Sequence, residues 1–89
     1  LIRQNMQTLR ELGEAVASRR RSLRLKQGEV AARAGLSQES LSRLERGKSA
    51  EFGSRKLLAV LAVLGMELQF TELGASGSLD ELRRERGGG

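Results

Sequence analysis

Between residues 27 and 48 the chain carries Gln27, Ser37, Gln38, Glu39, Ser42, Arg43, Arg46 and Lys48 at short intervals compatible with helical faces. Carboxamides, hydroxyls and guanidinium groups hydrogen-bond and carry charge, which is the chemistry of recognition. A Gln carboxamide presents a donor beside an acceptor and matches the edge of adenine. An Arg fork matches guanine, and a carboxylate accepts from the amino group of cytosine. The tools of bond-breaking chemistry are missing. There is no His and no Cys, which removes imidazole bases, thiolate nucleophiles, disulfides and the usual soft-ligand zinc sites. Neither paired carboxylates nor a phosphate-binding loop stands in for them. No enzyme, cofactor or metal site is expected.

Those side chains need a scaffold, and the apolar pattern around them supplies one. Gln27 to Ala34 sets Val30, Ala31 and Ala34 on one face of a short helix that Gly35 can end through positive φ. Ser37 then offers an N-cap hydroxyl to a further helix, in which Leu41 and Leu44 face inward and which runs to about Arg46, before Gly47. Two short helices about a tight glycine turn form a helix-turn-helix, whose second helix can enter the major groove of duplex DNA. On that reading Ala31 is small where the helices approach, and Leu36, Leu41 and Leu44 hold the second helix to the core. Gln38, Glu39, Ser42 and Arg43 face outward toward base edges, while Gln27 and Ser37 stand near helix starts, where backbone amides bind phosphate.

Upstream, Leu9, Leu12, Val16 and Leu23 recur at helical steps within 6–23, with Ala15 beside them. Downstream, Ser54 is a cap candidate for a helix burying Leu57, Leu58, Leu61, Ala62 and Leu64, ended at Gly65. The fold expected is all-α, four to five helices, followed by a short strand at 66–71, where Met66, Leu68 and Phe70 alternate with polar residues.

Charge agrees with a polyanionic partner. Residues 19–56 hold eleven Lys/Arg against four Glu, a local net of +7, while the remainder holds five against seven, a net of −2. A compact positive block draws DNA by counterion release. Charge alone would also suit a membrane surface or an acidic protein. Eighty-nine residues with 38% hydrophobic content supply one core, built from Leu, Val, Ala and Met because only two aromatics are present, both Phe. No apolar run is long enough to span a membrane and no signal segment is evident, so a cytoplasmic protein is expected.

The run QGEVAARAGLSQESLSRLERG resembles the XRE-type regulators, which include the repressors and Cro proteins of lambdoid phages. The likeness covers residues 16–65 and rests on Arg20, Gln27 through Ala31, Gly35, Leu36, Ser37, Gln38, Leu41, Leu44, Glu45, Gly47 and Lys48. It implies a compact lambda-repressor-like DNA-binding domain and a transcriptional regulator. Within it Gln27 would clamp phosphate and buttress the recognition helix, Gln38, Glu39 and Arg43 would read bases, and Arg46 with Lys48 would contact the DNA backbone. Arg20 and Glu45 would form a structural ion pair. Glu39 has two readings, accepting from cytosine or lying beside the preceding helix. Two positions depart from the family pattern: Arg24 stands where a small turn residue is usual, and Lys26 where a Thr or Ser cap is usual. Positive φ at Arg24 would cost about 1 kcal/mol, and Gly28 weakens the helix that follows by up to about 1 kcal/mol relative to Ala. An irregular turn between the first two helices is therefore expected.

A lone strand leaves unpaired amides and carbonyls. Pairing with the same segment of a second copy would give a homodimer through Met66, Leu68 and Phe70, and hence a palindromic operator. That arrangement resembles the HipB-like antitoxins, which implies a repressor or antitoxin-type autoregulator and leaves room for a toxin partner. The alternatives are an extended tail or pairing with residues 1–5, and, for function, a protein-interaction module on the same fold. In domain terms, 1–5 is an N-terminal extension ahead of Met6 as a candidate initiator, 6–73 is the DNA-binding domain with the dimerisation strand 66–71, and 74–89 is a flexible tail rich in Gly, Ser and charge.

Overall fold

The computed structural model describes residues 8–72, so the expected extension at 1–5 and tail at 74–89 lie outside the described residues. Four helices follow in order: α1 (Leu9–Ser22), α2 (Gln27–Ala34), α3 (Gln38–Glu45) and α4 (Ser54–Val63). Helix α1 packs on α3, and α2 packs on both α3 and α4. Their shared core is Val16, Val30, Ala31, Leu41, Leu44, Val60, Leu61 and Leu64.

Helix α1 starts later than the apolar period suggests. Thr8 is its N-cap: the hydroxyl accepts from the Glu11 amide at 3.1 Å and donates to the Glu11 carboxylate at 3.0 Å. Capping an orphan amide fixes a boundary that hydrophobic spacing does not see. Leu23, expected on the buried face, is the C-cap and is 39% exposed. The face of α4 is also rotated from expectation. Leu57, Val60, Leu61 and Leu64 turn inward at i, i+3, i+4 and i+7, whereas Leu58 and Ala62 face solvent. Its N-cap is Gly53, with Ser54 already the first helical residue and no side chain capping the end.

All four helices stop in the same way. Each is followed by a residue in the left-handed region and by a reach-back hydrogen bond from the next amide: Leu25 to Arg20 at 3.1 Å, Leu36 to Ala31 at 3.0 Å, Lys48 to Arg43 at 2.9 Å and Met66 to Leu61 at 2.8 Å. This is the Schellman closure. Glycine occupies the left-handed position at Gly35, Gly47 and Gly65, but after α1 the residue is Arg24, at φ 58°. The turn expected to be irregular therefore has regular geometry and an unfavourable residue in it. At the start of α2, Lys26 has no acceptor to offer, so its own amide is instead taken by the Glu29 carboxylate at 2.9 Å.

Between α1 and α3 the backbones nearly touch. Gly13 is buried, and a Cβ there would fall inside the van der Waals shell of the Leu44 carbonyl. A glycine that weakens a helix interior is here what lets α1 seat against the end of α3. Two turns further along, Arg20 completes the junction. Its Nε and Nη2 donate to the two oxygens of Glu45 at 2.7 and 2.9 Å, and its Nη1 donates to the Leu25 carbonyl at 2.8 Å. Gln27 Nε2 adds a bond to Glu45 Oε1 at 2.9 Å. The pair is desolvated, with side-chain exposures of 12% for Arg20 and 3% for Glu45, and the hydrogen bond that Arg20 donates to the Glu45 carboxylate holds the Arg20 pKa above its ordinary value.

Residues 66–72 form neither helix nor strand. Met66 is half-buried and lines a small apolar groove with Leu12, Ala15, Leu61 and Leu68, but Phe70 is 94% exposed. Within one chain, then, the three alternating apolar residues do not share a packed face. No strand is present among the described residues to pair with the segment.

Three stability outcomes follow from this architecture. Gly13→Ala should cost about 1–3 kcal/mol or more in urea denaturation, through overpacking against backbone that cannot move aside. Arg24→Gly should raise stability by about 1 kcal/mol by relieving left-handed strain; a drop in the thermal midpoint would contradict that strain. Arg20→Ala should cost about 3–5 kcal/mol by leaving Glu45 buried without its counter-charge.

Candidate nucleic-acid interface

Helix α3 divides its residues between two duties. Leu41 and Leu44 are fully buried and Glu45 is locked by Arg20, so the packed side is fixed. Gln38, Glu39 and Arg43 are exposed on the other side, Ser42 is half-buried, and Arg46 follows on the same stripe as its exposed C-cap. Positions 39, 42, 43 and 46 are neighbours at helical spacing, with Gln38 one turn before Ser42. The sequence-expected readers thus come together on one outward face. Lys48 is also exposed, just past the turn at Gly47.

Three expected contact residues have additional work. The Ser37 hydroxyl accepts from the Ser40 amide at 3.1 Å and donates to Ser40 Oγ at 3.0 Å, so it serves as the N-cap of α3. Gln27 gives one N–H of its carboxamide to Glu45, the buttressing that the resemblance implies, and keeps its second N–H. Arg46 folds back, its Nε donating to the Ser42 carbonyl at 3.3 Å.

Some of the basic block is engaged within the fold. Arg20 is consumed by Glu45 and Leu25, and Arg19 Nε donates to the Leu64 carbonyl at 2.9 Å, placing a cation on the C-terminus of α4. The local net of +7 therefore overstates the charge free to meet a partner. Against that loss, the fold adds residues that linear reading passed over. A shallow cleft of about 130 Å³ beside α3 is lined by Arg43 and Ser40 from α3, Ser49 and Glu51 from the connecting loop, and Gly53 and Lys56 at the start of α4. The first turn of α4 has no acidic residue and carries Arg55 and Lys56 instead, an arrangement opposed by the helix dipole. That inversion of the usual charge preference was readable in Ser54-Arg55-Lys56. Its nearness to Arg43 depends on how the loop returns. Glu51 tempers the potential of the cleft without cancelling two cations.

Among the described residues no helix is long and apolar enough to cross a membrane, and no cluster of acidic side chains could hold a metal ion. Comparison with known proteins gives the same architecture. No protein of curated function matches the sequence. The clp gene regulator ClgR from Corynebacterium glutamicum matches in structure with a TM-score of 0.61 at 36% identity, over 70% of this chain and 66% of that one. This chain thus spans just under two thirds of that protein's chain. The family model described as a helix-turn-helix domain matches residues 3–71, which takes in all four helices and the turn at Gly35. The chain belongs to the helix-turn-helix domain family.

Proposed function

We propose that the chain is a sequence-specific double-stranded DNA-binding transcriptional regulator that lays α3 in the major groove. The observation carrying this reading is the division of α3 into a locked inner face and an exposed outer face of Gln38, Glu39 and Arg43, with Ser42 half-buried among them. Gln38, Glu39, Ser42 and Arg43 supply base contacts, each worth roughly 1–3 kcal/mol where bidentate. Gln27, Ser37, Arg46 and Lys48 hold phosphate, aided by the amides at helix starts. The likeness to ClgR, a regulator of clp genes by its description, supports a regulatory role.

The protein acts as a dimeric repressor or antitoxin-type autoregulator that occludes or redirects RNA polymerase. Support for the dimer comes from residues 66–72, where Phe70 is 94% exposed and Leu68 42% exposed. An aromatic left in water gains by burial against a second copy. Pairing of this segment across a twofold axis would set two α3 helices on successive major-groove faces of a palindromic operator. The same apolar residues suit a protein partner such as a toxin, and an interaction module is the second reading. Selection of bound sites from a random duplex pool separates the two: a regulator enriches a palindrome with half-sites about one helical turn apart, whereas an interaction module enriches nothing.

Arg43→Ala should weaken binding to the selected site by about 1–3 kcal/mol and relax preference at one position, while Lys48→Ala should weaken all sequences alike and reduce the salt slope by about 1. Equal losses on selected and random duplexes for both variants would remove the base-reading role of Arg43.

A further inference from the structure

Four helix ends close with the same reach-back hydrogen bond, and three of them place glycine at the left-handed position; after α1 that position holds Arg24, at φ 58°. A side chain there carries a steric cost that glycine would not. The fold gives nothing back for it. Arg24 is exposed, and its guanidinium takes part in no hydrogen bond or ion pair among the described residues. Its share in the turn is backbone alone, the amide donating to the Arg21 carbonyl at 2.9 Å. Residues held in sparsely populated backbone regions gather at functional positions.

Arg20 fixes that turn in space. Its guanidinium joins the carbonyl of Leu25, the residue after Arg24, to the carboxylate of Glu45 at the end of α3. Arg24 is thereby held close to the point from which Arg46 and Lys48 continue, and it precedes Gln27 by three residues. Gln27 reaches the same carboxylate and keeps one N–H. The charge beside Arg24 is of one sign. Arg21 and Lys26 are exposed on either side of it and neither is in an ion pair among the described residues, while the acidic residue nearest in the chain, Glu29, accepts the Lys26 amide at 2.9 Å.

We propose that Arg24 contacts the phosphodiester backbone of duplex DNA, and that the strained turn is kept because this position sets a free guanidinium beside the phosphate assigned to Gln27. This rests on the reading of the chain as a DNA-binding regulator. A guanidinium fork can give parallel N–H groups to two phosphate oxygens. Such a contact adds affinity without sequence preference. Glycine at position 24 would make the better turn and the poorer binder, so stability and binding pull on this residue in opposite directions.

The test uses the full chain, a duplex selected by the wild-type protein from a random pool and an unrelated duplex of the same length, each titrated across a salt series. Wild type, Arg24→Gly, Arg24→Lys and Arg33→Gln are compared, and each protein's thermal midpoint is recorded. Arg33 is an exposed cation in the last turn of α2, so its variant removes the same charge at the far end of that helix. Arg24→Gly should melt about 4–8 °C higher than wild type. It should nonetheless bind both duplexes about threefold or more weakly and reduce the slope of log K against log salt by about 1. Arg24→Lys keeps the charge and should keep the slope, and Arg33→Gln should bind as wild type does. Wild-type affinity and slope in Arg24→Gly, a loss confined to the selected duplex, an equal loss in Arg33→Gln, or a lowered midpoint would each overturn the proposal. If the wild-type protein itself binds neither duplex in a salt-dependent way, the DNA-binding reading fails and takes this proposal with it, an outcome distinct from the other four.

Discussion

Glu45 is a carboxylate placed almost out of reach of water, and a buried charge is tolerated only when it is paired and hydrogen-bonded. Three N–H groups meet it, two from Arg20 on α1 and one from Gln27 at the start of α2, while the same Arg20 takes the carbonyl of Leu25 in the turn between those helices. Because Glu45 is the last residue of α3, this arrangement ties three helices and one turn at a single point. A lysine could match the charge but not the planar fork that meets both oxygens at once. The orientation of α3, and with it the direction in which Gln38 and Arg43 point, descends from this junction and from the bare backbone at Gly13 beneath it.

Around that junction the chain economises on length. With helices of eight to fourteen residues, little of the stability can come from propensity, and packing has to supply it. The repeated Schellman closure turns the chain sharply while satisfying carbonyls at the C-terminus of each helix. Arg19 does the same for α4 from outside, by placing its guanidinium on the terminal carbonyl of Leu64. Cations that read in sequence as a nucleic-acid signal are thus divided between holding the fold and facing outward.

The sequence made the centre of the fold legible and its edges less so. The boundaries of α2, the left-handed turn at Gly35 and the burial of Leu41 and Leu44 followed from residue types at fixed offsets, because in a helix-turn-helix local geometry dictates those types; the Arg20 to Glu45 pair, 25 residues apart, followed only from the resemblance to the XRE-type regulators. The start of α1 was missed because Thr8 and Glu11 compete with an apolar period that runs on past them. The face of α4 was misjudged because leucine at 58 and valine at 60 are equally apolar, and only packing against α2 chooses between them. Gly13 gave no signal at all, since a close approach between backbones is a property of two segments and neither shows it alone. The expected strand at 66–71 depends on a second edge that the described single chain does not contain.

The partition of α3 into an anchored side and an unburdened side has a consequence over evolutionary time. Gln38, Glu39 and Arg43 carry none of the core, so a lineage can exchange them without disturbing how the domain holds together. Drift toward a new target sequence is then a matter of a few solvent-facing substitutions, each nearly silent for folding. A duplicated copy of such a gene could diverge in what it reads while keeping every buried residue it inherited.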